Sequence, residues 1–264
     1  MCNHCGCSAE KALISDPETG KHTHLHMDGN SLKLQESLLA GNTALAEKNR
    51  HWFKQNHVLS INLMGTPGAG KTALLEATLL SPEFSNIEIS VLEGDQQTSN
   101  DAKRIRSAGA EVLQINTGTG CHLDAEMIQT GVESIQPKPG SLLFIENVGN
   151  LVCPALFDLG EHLRVTMMAV TDGADKPEKY PHMFSNCDLV LINKADLLPY
   201  IDFDLDYAKN CIAKLNPNVK VIVLAANKQD EAMQEWQEWL MSGLKETANE
   251  SLNKPQNQAE LANA

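Results

Sequence analysis

The chain has 264 residues, 42% of them hydrophobic, and a formal net charge of -13. That length suits one ordinary domain with extra segments, or two small ones. The negative charge disfavours nonspecific binding to nucleic acid or to an anionic membrane, no stretch approaches transmembrane length, and the N-terminus lacks the basic-then-apolar design of a signal peptide. The expected location is the cytoplasm, where thiols stay reduced.

Residues 1–30 are polar and read as a flexible arm. It opens "MCNHCGC", with Cys2, Cys5 and Cys7 around His4. No apolar run accompanies the cysteines, so a hydrophobic core cannot order them. A disulfide, a metal or nothing remains. A reducing compartment argues against the disulfide and for metal or redox chemistry. Three thiolates at this spacing leave one ligand open for a four-coordinate, near-planar metal, with the N-terminal amine or His4 as the fourth. Further on, His22, His24 and His26 alternate.

Residues 31–56 carry Leu34, Leu38, Leu45 and Phe53 at roughly helical spacing. They read as a helix packed on the adjoining α/β region, with Gly41-Asn42 as a candidate break. Residues 57–246 hold seven apolar runs: "VLSINLMG", "IEISVLEGD", "EVLQINTG", "SLLFIENVG", "VTMMAVTDG", "DLVLINKAD" and "VKVIVLAAN". Helix-compatible stretches separate most of them. Near-continuous apolar strands mean burial on both faces, hence an α/β fold with a mostly parallel twisted sheet covered by helices. Residues 247–264 form a polar tail.

The first strand runs into "GTPGAGKT", Gly65 to Thr72, and then a helical stretch. This fits G-x-x-x-x-G-K-[ST] with the required strand before and helix after. Gly65, Pro67, Gly68, Ala69 and Gly70 form a loop that can curl around a phosphate, and the helix N-terminus aims free N–H groups at it. Lys71 supplies charge to the β/γ-phosphates of a nucleotide, and the Thr72 hydroxyl can ligate Mg²⁺. "LEGD" ends at Asp95, with Thr98 and Asp101 close behind. Asp95 could orient an attacking water or sit in the Mg²⁺ shell. "FIENVG" offers Glu146 and Gly149. That is Glu-x-x-Gly where ordinary GTPases have Asp-x-x-Gly. Its carboxylate can hold Mg²⁺ through water, and Gly149 lets backbone approach a γ-phosphate. Lys71, Thr72, Asp95 and Glu146 are thus the candidate catalytic set.

"NTGTGCHLDA" sets Cys121 and His122 at a strand end, and Cys153 lies beyond Gly149 in "VGNLVCP". Thiolate plus imidazole suits Zn²⁺ or Ni²⁺ rather than Mg²⁺. A later strand ends in "LINKAD", the guanine-reading N-K-x-D pattern of P-loop GTPases: Asn193, Lys194 and Asp196. A carboxylate can accept from the guanine N1–H and amino group, and adenine leaves it unpaired. Ala226, in "LAAN", stands where a base-contacting loop is common, but departs from the usual Ser-Ala-Lys. "LLPYIDF" is apolar around Pro199, and reads as a cap over the core or as a partner surface.

Together "CNHCGC", "GTPGAGKT", "EGDQQTSNDA", "NTGTGCHLDA", "FIENVGNLVCP" and "NKADLLPY" resemble the nickel-incorporation GTPases of hydrogenase maturation. These belong to the SIMIBI branch of P-loop GTPases, alongside the urease nickel chaperone. The resemblance covers roughly 31–245 plus the terminal cluster. It implies a P-loop NTPase fold and GTP hydrolysis with Mg²⁺. It implies a tight nickel site at Cys2, Cys5 and Cys7, and an inner Ni²⁺ or Zn²⁺ site at Cys121, His122 and Cys153. It further implies a nucleotide-dependent homodimer, with Leu197 and Ile201 as contacts, a zinc- and nickel-binding accessory protein as partner, and the hydrogenase large-subunit precursor as recipient. The short His stretch departs from the storage tracts of some members. Competing readings are a nickel chaperone for another enzyme such as urease, a metal reservoir with incidental nucleotide binding, and a metabolic kinase.

Overall fold

The computed structural model describes residues 11–15, 22–26, 29–95, 100–118 and 120–252. Cys2, His4, Cys5, Cys7 and Thr98 lie outside the described residues, as do 253–264 of the expected tail. Within the expected arm, β1 (Lys11–Ser15) and β2 (His22–His26) pair antiparallel, with Leu13 opposite His24. The helix α1 (Gly29–Asn56) comes next.

α1 is unbroken through Gly41-Asn42. The local reading of Asn as a helix stop fails because tertiary partners occupy its amide. Its Oδ1 accepts from Ala125 N–H at 2.8 Å and its Nδ2 donates to Asp158 C=O at 2.7 Å. The buried stripe of α1 is Asn42, Ala46, Asn49 and Phe53, at helical spacing. Two of its four positions are polar, so apolar periodicity alone misplaces the face, and Leu45 is only half-buried.

The remaining elements in chain order are β3 (Leu59–Gly65), α2 (Lys71–Leu79), β4 (Ile89–Asp95), α3 (Asn100–Ser107), β5 (Glu111–Asn116), α4 (Ala125–Ile135) and β6 (Leu142–Glu146). Then come β7 (Leu163–Ala169), α5 (Lys176–Lys179), α6 (Pro181–Ser185), β8 (Leu189–Asn193), α7 (Leu205–Leu215), β9 (Lys220–Val223) and α8 (Glu231–Leu252). Strands β3 to β9 coincide with the seven apolar runs. They form one parallel sheet in the order β5-β4-β6-β3-β7-β8-β9. Every residue of β3, β6 and β8 is buried, whereas β5 and β9 expose residues, as edge strands must.

Helices cover both faces. Ile61 and Leu63 pack in a cluster with Leu74, Phe144, Trp236 and Leu240. Phe53, Leu92, Leu143 and Ile145 pack under α1 and α4 on the other face. A third cluster joins Met64, Met168 and Val190 to Phe184 and Ile212. The "LLPYIDF" segment is a cap in part. Leu197, Leu198, Ile201 and Phe203 pack half-buried against this third cluster, while Tyr200 is 82% exposed. α8 runs through Leu252, past the expected domain end at 246, and Thr247 on it is buried. No helix among the described residues is long and apolar enough to cross a membrane.

One buried polar pair fixes α8 on α2. Trp236 is fully buried, and its Nε1–H donates to Thr78 Oγ1 at 2.9 Å. Thr78→Val keeps the shape and strands the indole donor. An unmade buried hydrogen bond costs about 1–3 kcal/mol. Denaturant unfolding of this variant is expected to show that loss, and a midpoint equal to wild type would show that the pair contributes nothing.

Candidate functional site

In an open parallel sheet ligands sit beyond the carboxyl ends of the strands, where the strand order switches. Here that point is the end of β3, flanked by β6 and β7. The loop from Gly65 to Gly70 leaves β3 and enters α2. Gly70, which caps α2, has φ +96°, and a Cβ there would stand 2.4 Å from the Asn193 amide nitrogen. Only glycine fits both demands. A Cβ on Gly149 would lie 2.9 Å from Pro67 Cα, so the loop after β6 lies directly against the loop after β3.

A cleft of about 320 Å³ opens over this loop, lined by Lys71, Thr72, Glu93, Asp95, Asp101 and Glu146 among others. Pro67, Gly68, Gly70 and Gly149 also face it. Thr72 Oγ1–H donates to Glu146 Oε1 at 2.8 Å. Lys71 is buried, with its ammonium 3.5 Å from Thr66 C=O. Burial pulls its pKa below the usual lysine range, opposed by the carboxylates of Glu146, Asp101 and Glu93. Burial pushes the Glu146 carboxyl up to about 7. Burial, then the charge of Glu146, pushes Glu93 up to about 8. Glu146 Oε2 and Glu93 Oε2 are both buried without a hydrogen-bond partner among the described residues. Buried orphan carboxylate oxygens beside a threonine hydroxyl are the hard-oxygen set that suits Mg²⁺.

A second cavity of about 360 Å³ adjoins the first, sharing Gly70 and Ala73, and is lined by Asn193, Lys194, Asp196, Leu197 and Ala226. Asn193 organises it. Its Nδ2 donates to Ala69 C=O at 2.7 Å and its Oδ1 accepts from Ala226 N–H at 2.9 Å. Lys194 takes a left-handed conformation, φ +61°, which turns the chain into the 3-10 helix Ala195–Tyr200.

The structure brings Cys121, His122 and Cys153 together, with one donor atom from each all within 4.8 Å of one another. The Cys121 and Cys153 sulfurs are 2.9 Å apart and both thiols are free. The His122 ring stacks on Phe157, centroids 3.8 Å apart. Burial holds the imidazole pKa below its usual range, against the pull of Asp124, which keeps the ring neutral and able to ligate. Two sulfurs and a nitrogen suit Ni²⁺ or Zn²⁺ and leave a position open. This centre is tied to the phosphate loop. Asn150 N–H donates to Gly65 C=O at 2.9 Å, and Asn150 Nδ2 donates to Cys121 C=O at 3.3 Å.

Sequence reasoning missed Glu93, Asn150, Phe157 and Asp172. Glu93 had a signal: an acid inside an apolar strand, two residues before its end. Asp172 accepts from the Thr66 hydroxyl and from Ala169 N–H, and so braces the phosphate loop from the end of β7. The contacts by which Phe157 and Asn150 reach the loop of Cys121 and His122 span long stretches of chain and left none.

A central glycine-rich loop after a buried strand, with an acid closing the next strand, defines a P-loop nucleotide-binding protein. The nucleotide-binding domain of the CobW/HypB/UreG family matches residues 59–223, and the chain belongs to that family. It is similar to the hydrogenase maturation factor HypB of Rhizobium leguminosarum bv. viciae, 47% identical over 220 residues, covering 82% of this chain and 73% of that one. It is similar in structure to HypB from Helicobacter pylori in complex with nickel, with TM-score 0.72, 32% identity, and 78% and 96% of the two chains covered. HypB from Archaeoglobus fulgidus gives TM-score 0.72, 38% identity, and 78% and 99% coverage.

The two raised carboxyl pKa values have a sign. As pH rises from about 4.5 toward about 7 and 8, the folded protein keeps protons on Glu146 and Glu93 that an unfolded chain has released. Their stabilisation is complete below about 4.5 and is lost as pH rises through about 7 and 8. Stability without nucleotide is therefore expected to fall between pH 5 and pH 8, and Glu93→Gln to flatten the fall. Urea unfolding at several pH values reads this directly, and a profile equal to wild type in the variant would rule out Glu93 as its source.

Proposed function

We propose that this protein is a GTP-hydrolysing nickel metallochaperone that delivers nickel during the maturation of NiFe hydrogenase. One observation carries the reading. The segment from Glu146 to Cys153 serves both the phosphate cleft and the sulfur-imidazole centre. Glu146 and Gly149 face the cleft, Asn150 bridges to Gly65 and Cys121, and Cys153 offers its sulfur to the centre. A protein that uses nucleotide to control a metal needs such a shared element.

In this reading Lys71 and the backbone of the Gly65–Gly70 loop hold the β/γ-phosphates. Thr72 and Glu146 hold Mg²⁺, which when bound would neutralise charge on the phosphates. Asp95, which also lines the cleft, positions water or the metal's shell. Asp196 selects guanine, Lys194 lies over the base, and the backbone near Ala226 completes the pocket. Cys121, His122 and Cys153 take Ni²⁺ or Zn²⁺ as cargo. Cys2, Cys5 and Cys7 form a first nickel site on the arm. Assembly is a homodimer with nucleotide. Leu197 and Ile201, half-buried against the third cluster, are its proposed contacts, beside the exposed Tyr200. The partners are a zinc- and nickel-binding accessory protein and the hydrogenase large-subunit precursor, and the work takes place in the cytoplasm.

Three measurements test this. Asp196→Asn is expected to lower GTP affinity and favour xanthosine triphosphate, whose 2-oxo group accepts from the amide; unchanged GTP preference would sink the guanine assignment. Lys71→Ala is expected to abolish hydrolysis with little loss of stability, and normal turnover would contradict the phosphate-loop role. Ni²⁺ titration of the GDP-bound and GTP-analogue-bound full chain, with Cys2, Cys5 and Cys7 changed to serine, is expected to give different affinities. Identical affinities would remove nucleotide control from the centre.

A further inference from the structure

The inner metal donors come from two separate loops, and α1 fastens both. Asn42 bonds to Ala125 N–H with its oxygen and to Asp158 C=O with its nitrogen, at 2.8 and 2.7 Å. Asn49 Nδ2 donates to Ala125 C=O at 2.8 Å and to Leu159 C=O at 3.0 Å. Both side chains are buried. Each asparagine thus spans from the loop of Cys121 and His122 to the loop of Cys153. Ala125 opens α4 just after His122, and its N–H is one of the helix donors that need an outside acceptor. Asp158 adjoins Phe157, the ring on which His122 stacks.

The contact is close all along the loop. A Cβ on Gly160 would stand 2.3 Å from Ala46 C=O, so the chain after Phe157 lies on the helix itself. Arg50 adds an ion pair to Asp158 at 2.5 Å and a bond to Glu161 C=O at 3.0 Å. Ala46 and Phe53 give α1 apolar packing on the adjoining elements. Amides bonded to both loops do more, because hydrogen bonds are short and directional. Metal ligands must be held to within about 0.5 Å by the residues around them.

We propose that Asn42 and Asn49 are positioning residues for the inner metal centre, fixing how far Cys121 and His122 stand from Cys153. The inference rests on the reading that these three residues hold a metal. α1 then becomes part of the centre, although no residue of it is a ligand.

The test uses the full chain with Cys2, Cys5 and Cys7 changed to serine, GDP-bound, and Co²⁺ as the probe. Thiolate-to-cobalt charge transfer reports how many sulfurs bind. Asn49→Asp cannot donate to either carbonyl. It is expected to weaken Co²⁺ binding by about 10–100-fold, the usual range for residues that orient ligands, and to lower the charge-transfer intensity. Asn42→Asp keeps the acceptor for Ala125 N–H and is expected to lose less than Asn42→Ala. GDP affinity measured without metal should stay within about twofold, since neither asparagine bonds to the phosphate loop. Wild-type cobalt affinity and spectrum in folded Asn49→Asp, or in Asn42→Ala should Asn49→Asp not fold, would overturn the proposal. A parent protein that binds no Co²⁺ would instead remove the metal reading beneath it.

Discussion

The side-chain amide of Asn193 bonds at once to the phosphate loop at Ala69 and to the loop after β9 at Ala226. Both bonds are buried, so neither can be exchanged for water without loss. Asn193 ends β8, Ala69 belongs to the loop after β3, and Ala226 lies just beyond β9. One amide therefore sets the distance between the phosphate cleft and its neighbouring cavity. It also explains the glycine at position 70, where any side chain would collide with it. The parallel sheet makes this possible by delivering every strand's carboxyl end to one edge.

That edge concentrates charge in a dry place. Lys71, Glu93 and Glu146 are all buried there. Burying an ion is costly unless partners offset it, and here the acids outnumber the lysine. Burial raises both carboxyls, Glu146 to about 7 and Glu93 to about 8, which favours their uncharged forms. Among the described residues one oxygen of each carboxyl has no hydrogen-bond partner, a donor set that suits a hard cation.

Much of this was legible in the sequence, for local reasons. The seven strands announce themselves because strands buried on both faces must be apolar throughout. The loop from Gly65 to Thr72 and the Asn193-Lys194-x-Asp196 pattern are legible because their chemistry lies within a few consecutive residues. Cys121, His122 and Cys153 could be grouped because each sits beyond a strand's carboxyl end. What escaped depends on contacts across long stretches of chain. Asn42 looked like a helix stop, since its partners at Ala125 and Asp158 are invisible to a local reading. Phe157 gave no sign of stacking on His122. For Leu197 and Ile201 the sequence left a core cap and a partner surface both open, and the fold packs them half-buried against the third core cluster.

The proposed coupling between nucleotide and metal needs no long pathway. A ligand shifts an equilibrium only by its differential affinity for the two states. Gly149 lies against Pro67, Asn150 bonds to Gly65 and to the backbone of Cys121, and Cys153 comes three residues after Asn150. A γ-phosphate that pulled Gly149 would move Asn150, and with it both sulfur-bearing loops. Linkage then requires the metal to alter nucleotide affinity by the same factor. The buried asparagines of α1 limit that motion from the opposite side, since Asn42 and Asn49 hold the far ends of the same two loops. In the proposed reading the centre would be clamped at one end by a helix and driven at the other by the phosphate loop. A small displacement at Asn150 would therefore be felt as a change in sulfur geometry rather than absorbed by slack in the loops.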